Sequence, residues 1–127
     1  MIHIVSDAGI WGGQGTGPYS VTKAAVAMLG TMLALDDGPD GVRSNVLSRR
    51  HLARHAAYGP PGWQDRGEDA GDWPVPSIGQ VGQASDVAAA AVFSAGDQAG
   101  FITGTTLLAD GGMTAGYLRR ERDSRDQ

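Results

Sequence analysis

The sequence predicts an α/β protein built on a parallel sheet of about three strands with flanking helices. Three observations carry that expectation. Short apolar runs at Ile2–Ser6, Val42–Ser48 and Thr105–Ala109 have the length and composition of buried strands. A long segment of helical spacing separates the first run from the second, and a shorter one precedes the third. Strands joined through helices return in the same direction, so the sheet is parallel. Composition agrees: alanine-rich, with 20 glycines and only 6% aromatic residues, it suits close packing of helices on a sheet.

Ile2-His3-Ile4-Val5-Ser6 reads as a buried strand that begins at the first residues, and a core strand without a lead-in points to truncation. Gly9 to Gly17 form a loop, and Pro18 suits a helix start, where its missing N–H costs nothing. A helix is expected from about Pro18 to Asp37. Val21, Ala24, Ala25, Met28, Leu29 and Met32 share one apolar face, while Tyr19, Lys23, Val26, Ala27, Gly30 and Ala34 lie on nearly the opposite side. With few charges on either side, this helix is expected to be covered on both, by its own sheet and by a second layer such as a partner subunit. Gly38 stands at the C′ position.

Pro39-Asp40-Gly41 leads into the second strand. From Arg49 to about Ile78 the pattern is lost, and Trp63 and Trp73 read as anchors of a mobile surface segment or lid. Ser85 is expected to cap a helix from Asp86 to about Ala95, with Asp86 favourable in its first turn. The third strand closes on Asp110-Gly111-Gly112. Residues 1–116 form one domain with 49–78 as its irregular segment, and the charged stretch 117–127 reads as a disordered tail.

The totals exclude several classes of function. At 127 residues the chain suits one domain, and without cysteine it has no disulfides or thiolate metal sites. A net charge of −4 gives no basis for binding nucleic acid or an anionic membrane. No apolar run approaches a membrane span, and the opening residues do not form a signal peptide, so a cytoplasmic protein is expected. His51 and His55 are four apart, yet Leu52 occupies the glutamate place of H-E-x-x-H and no third ligand is near, so no metal site is expected.

Chemistry concentrates between Ser6 and Lys23. Tyr19 and Lys23 are four residues apart on the expected helix, which puts both on one face. A phenol is a poor proton-transfer group at neutral pH, and a neighbouring ammonium favours its ionised form. The intervening glycines fit neither phosphate motif. Gly12 and Gly17 have P-loop spacing, but Pro18-Tyr19 stands where Lys-Ser/Thr is required, and no G-x-G-x-x-G can be laid over them.

Ile4-Val5-Ser6-Asp7-Ala8-Gly9 followed by Tyr19-Ser20-Val21-Thr22-Lys23-Ala24-Ala25 resembles the active-site segment of the short-chain dehydrogenases/reductases. Asp40-Gly41-Val42-Arg43-Ser44-Asn45-Val46 is similar to that family's sixth strand. Gly79 to Ala88 is similar to its G-x-x-G-x-x-x-D-V-A helix entry, and Phe101 to Gly112 to its closing I-T-G-x-x-x-x-x-D-G-G strand.

The resemblance covers the C-terminal half of such a domain and implies an incomplete Rossmann-like, doubly wound parallel sheet. It implies an NAD(P)-dependent oxidoreductase acting on a small-molecule carbonyl/alcohol pair. Tyr19 would be the general acid/base, Lys23 would support it and hold the nicotinamide ribose, and Ser6 would hold the substrate oxygen. Leu52 would contact the nicotinamide of NAD or NADP.

Two departures accompany the resemblance. Arg49-Arg50 stands where the family has Pro-Gly, which would crowd the pocket with charge. The family's glycine-rich pyrophosphate turn has no counterpart in this sequence. The chain is therefore expected to act as a homo-oligomer or with a missing N-terminal half, as one part of a split dehydrogenase. The alternative is a non-catalytic remnant serving as an interaction or oligomerisation module.

Overall fold

The computed structural model describes residues 1–12, 15–50, 76–80 and 82–116. Three parallel strands, β1 (Ile2–Ser6), β2 (Asn45–Arg49) and β3 (Thr106–Ala109), form one sheet in the order β1-β2-β3. Helix α1 (Gly17–Asp36) joins β1 to β2, and α2 (Ala84–Ala95) precedes β3. This is the Rossmann-like arrangement the sequence predicts. The register sets Ser6 beside Arg49 and Arg49 beside Ala109, so the C-terminal ends of all three strands lie level.

The core lies around β2, the central strand, where Val46 and Leu47 are buried together with Val5 of β1. Helix α1 packs on β1 and β2 through its small-residue face, and Gly30 and Ala34 are the buried positions of the helix. A Cβ on Gly30 would stand 2.7 Å from Cγ2 of Val46 and 2.9 Å from Cδ2 of His3, so any side chain there would hold the helix off the sheet. Ser44 fixes the same contact, donating from Oγ to the Gly30 carbonyl at 2.8 Å and sharing a 3.0 Å hydrogen bond with His3 Nε2. The larger apolar face has no cover among the described residues: Val21 is 70% and Leu35 67% exposed, and Met28 and Leu29 are exposed as well.

The second strand starts later than its apolar run. Val42 donates to the Asp37 carbonyl at 3.3 Å, Arg43 turns its side chain toward the end of α2, and the Ser44 N–H bonds Thr103 Oγ1 at 3.1 Å. The ladder begins at Asn45, and the Ser44 carbonyl just before it accepts from the Gly104 N–H at 2.8 Å. Ser85 does not cap α2. Gln83 is the N-cap residue, and its backbone N–H donates to Asp86 Oδ2 at 2.7 Å, which places Ser85 inside the first turn. Gly38 follows α1 but opens a 3-10 turn, Gly38–Asp40, and the left-handed residue is Gly41 with φ 78°. Nearly all of segment 49–78 and the whole tail 117–127 lie outside the described residues, as do His51, His55, Trp63 and Trp73.

Candidate active site

In a parallel sheet the groups that meet ligands gather beyond the C-terminal ends of the strands. Here that edge carries Ser6 at the end of β1, Arg50 just past β2 and Asp110 just past β3. A 3-10 turn, Asp7–Gly9, follows Ser6 directly. Ser6 caps it, with Oγ accepting from the Ala8 N–H at 3.3 Å. The Asp7 carbonyl accepts from the N–H groups of Ile10 and Trp11 at 2.8 and 2.7 Å, which fixes the chain as it leaves the strand.

The same turn carries the first part of α1. A Cβ on Gly9 would lie 2.7 Å from both the Lys23 carbonyl carbon and the Ala24 nitrogen, and 2.8 Å from Lys23 Cβ. Only glycine permits that approach, and it brings Lys23 against the turn that follows Ser6. The helix start is ordered by Thr16, whose Oγ1 shares a 2.9 Å hydrogen bond with Ser20 Oγ. Thr22 Oγ1 donates to the Tyr19 carbonyl at 2.7 Å. Lys23 Nζ stands 5.6 Å from the centroid of the Tyr19 ring, within cation–π range, as the four-residue spacing predicts. Tyr19 is 47% exposed and Ser6 and Lys23 are half-buried, so a phenol, an ammonium and a hydroxyl are all open to a ligand. A phenol can give and take a proton, and an ammonium beside it stabilises negative charge developing on its oxygen. Leu52 lies outside the described residues.

One feature of this edge is absent from the sequence-based set. Asp7 is buried, 3% exposed, and Arg50 Nη1 forms an ion pair with its Oδ2. The Ser6 hydroxyl donates to the other oxygen, Oδ1, at 3.0 Å. The charge that Arg50 brings in place of a glycine is therefore matched by a carboxylate rather than left to crowd the site. The signal lay in the register: residues that directly follow two adjacent parallel strands are neighbours, so Asp7 and Arg50 are within reach of each other.

A small cavity of about 190 Å³ adjoins the ion pair, with Arg50, Pro76, Ile78, Asp86 and Asp110 among its lining residues. Asp110 is buried at its rim. Burial works to raise its pKa, but hydrogen bonds from Thr114 and Gly112 outweigh this and hold the carboxyl below its ordinary range. Among the described residues no group of three His, Asp or Glu side chains could hold a metal ion, and no helix is long and apolar enough to cross a membrane.

The chain is similar to known oxidoreductases along most of its length. A family model described as Enoyl-(Acyl carrier protein) reductase matches residues 1–114. L-fucose dehydrogenase of Bos taurus is 37% identical over 129 residues, which cover 94% of this chain and 45% of that protein. 3beta-hydroxysteroid dehydrogenase 1 of Eggerthella lenta is 40% identical over 96 residues, covering 76% of this chain and 36% of the relative. Among solved structures, gluconate 5-dehydrogenase from Burkholderia cenocepacia, in complex with NADP and tartrate, matches with a TM-score of 0.74 at 27% identity. That match covers 91% of this chain and 45% of the other. The chain spans less than half the length of each of these relatives.

Proposed function

The chain belongs to the short-chain dehydrogenase/reductase family, and on that premise we propose that it carries the proton-transfer half of an NAD(P)-dependent oxidoreductase site. The observation that carries this proposal is the pairing of Tyr19 and Lys23, with Nζ 5.6 Å from the ring centroid, beside the turn that Ser6 caps. Tyr19 is the acid/base, taking the proton of a substrate hydroxyl during oxidation and returning it during reduction. Lys23 stabilises the charge that develops on the phenolic oxygen, and Ser6 holds the substrate oxygen in place.

The donor groups present fit the ribose and nicotinamide end of NAD or NADP: the Lys23 ammonium and the Tyr19 hydroxyl would bond the ribose, with Leu52 against the ring. A bound nicotinamide would accept or supply the hydride. The pyrophosphate has no G-x-G-x-x-G turn in this sequence. Binding of the whole dinucleotide is accordingly assigned to these residues together with an N-terminal half that supplies the turn. The substrate class is a small secondary alcohol or its ketone, and the expected location is the cytoplasm.

A second reading draws on the uncovered apolar face of α1, where Val21 and Leu35 are 70% and 67% exposed. That face supports a non-catalytic interaction module. Fluorescence titration of NADH separates the two. The chain alone is expected to leave NADH fluorescence unchanged. Joining it to the N-terminal half of the bovine L-fucose dehydrogenase is expected to restore binding. Micromolar affinity of the chain alone, or a folded fusion that binds no NADH, contradicts the proposal.

A further inference from the structure

We propose that Gly111 and Gly112 are positioning residues for substrate binding. The turn they form after β3 docks residues 76–79 at the edge of the sheet, where Pro76 and Ile78 make an apolar wall of the cavity beside Arg50. Both glycines have left-handed backbone, with φ 64° and 81°. The Gly111 carbonyl accepts from the Ile78 N–H at 3.2 Å, and the Gly112 carbonyl accepts from the Ser77 hydroxyl at 2.9 Å. Their missing side chains let the two segments touch. A Cβ on Gly111 would stand 2.7 Å from Cβ of Pro76 and 3.1 Å from Cγ1 of Ile78, and one on Gly112 would stand 3.1 Å from Cβ of Ser77.

The turn is itself held from within. Asp110 Oδ1 accepts from the Gly112 N–H and Oδ2 from the Thr114 N–H, both at 2.9 Å. Residues 76–79 close a turn of their own, in which the Gly79 N–H donates to the Pro76 carbonyl at 2.8 Å. Pro76 is buried, whereas Ile78 is 66% exposed. Docking thus pins the proline and leaves the isoleucine as open apolar surface. The cavity joins this surface to the charged side chains of Arg50, Asp86 and Asp110. Arg50 pairs with Asp7, which bonds the Ser6 hydroxyl, so a substrate whose oxygen meets Ser6 can extend an apolar substituent toward this wall. Burying one methylene there is worth about fourfold in affinity. The wall would hold the substituent and not the reacting carbon, so losing it weakens substrate and transition state alike and raises KM with kcat unchanged. This role rests on the oxidoreductase proposal above; the docking of residues 76–79 does not.

The docking is tested on the full chain by amide hydrogen exchange. In wild type the Ile78 N–H is expected to be protected. Gly111→Ala drives a methyl group into Pro76 and is expected to speed Ile78 exchange by about tenfold or more. Gly41→Ala is the control, because Gly41 has the same left-handed backbone, φ 78°, with nothing within 4 Å of a Cβ. It carries the backbone strain without the collision and is expected to leave Ile78 as in wild type. An unprotected Ile78 in wild type, or equal exchange in the two variants, overturns the proposal. In the chain fused to the N-terminal half of the bovine relative, Gly111→Ala is expected to raise KM for a secondary alcohol by about fivefold or more with kcat unchanged, and Gly41→Ala to move neither. Ser77→Ala removes only the hydroxyl bond to Gly112 and is expected to raise KM about threefold, which decides the matter if Gly111→Ala does not fold. An unchanged KM in the folded variants overturns the role in substrate binding. No turnover in any fusion, with Ile78 exchange still faster in Gly111→Ala, overturns the oxidoreductase proposal alone.

Discussion

Gly9 and Lys23 touch backbone to backbone: a Cβ at position 9 would stand 2.7 Å from the Lys23 carbonyl carbon. The contact joins the turn after Ser6 to the first turns of α1, and so links the two parts of the candidate site. Gly9→Ala is expected to push α1 away from the turn and to cost about 1–3 kcal/mol, as overpacking does. Thermal unfolding by circular dichroism measures the loss. A variant as stable as wild type would show that the helix can yield here at no cost.

Arg43 closes the end of α2. Its Nη1 donates to the carbonyls of Ser94 at 2.8 Å and Ile102 at 3.2 Å, and its Nη2 to those of Ala95 at 3.2 Å and Gly96 at 3.1 Å. The Ser94, Ala95 and Gly96 carbonyls are those of the end of α2, left without partners in the helix at the negative end of its dipole, and the Ile102 carbonyl belongs to the connection that leads to β3. Arg43→Met keeps most of the stem and removes the donors, and is expected to cost about 1.5–3 kcal/mol in a urea titration. Hydrogen exchange should rise most in the last turn of α2. A uniform rise over the whole chain would count against a local cap.

Asp110 makes stability depend on acid. It accepts from the Gly112 N–H at 2.9 Å on Oδ1, and from the Thr114 N–H at 2.9 Å and hydroxyl at 2.5 Å on Oδ2. Its folded pKa is lowered, so the unfolded chain binds the proton more readily. The stabilisation is fully present above the unfolded value and is lost as pH falls below about 4 through the folded one. Asp110→Asn is expected to be less stable than wild type at pH 7, with the gap narrowing below about pH 4. Parallel stability curves of the two proteins across that range would refute this assignment.

The sequence makes the three strands and two helices legible because apolar runs and helical spacing are local properties. The edge residues were less so. Val42 and Arg43 look like strand, but the ladder begins only at Asn45: the Val42 N–H turns back to the Asp37 carbonyl, and the Arg43 carbonyl meets the amino group of Met1, ahead of β1. Ser85 looks like a cap, yet the N-cap is Gln83, two residues earlier, whose N–H bonds the Asp86 carboxylate. In the candidate site, the closeness of Tyr19 and Lys23 follows from helix geometry alone. The Asp7–Arg50 pair does not, because it joins residues that meet only once the register of β1 and β2 is known.

In the proposed function Tyr19 exchanges a proton with the substrate while Lys23 supports it. The measurement that tests this is NAD(P)-dependent turnover of a panel of small secondary alcohols by the chain fused to the N-terminal half of the bovine relative. Tyr19→Phe removes only the hydroxyl, from an exposed side chain. The expected result is that kcat falls by about 10²-fold or more, that NADH binding weakens by at most about tenfold for the one ribose hydrogen bond lost, and that circular dichroism stays as in the unsubstituted fusion. A Tyr19→Phe fusion that turns over at the unsubstituted rate would contradict it.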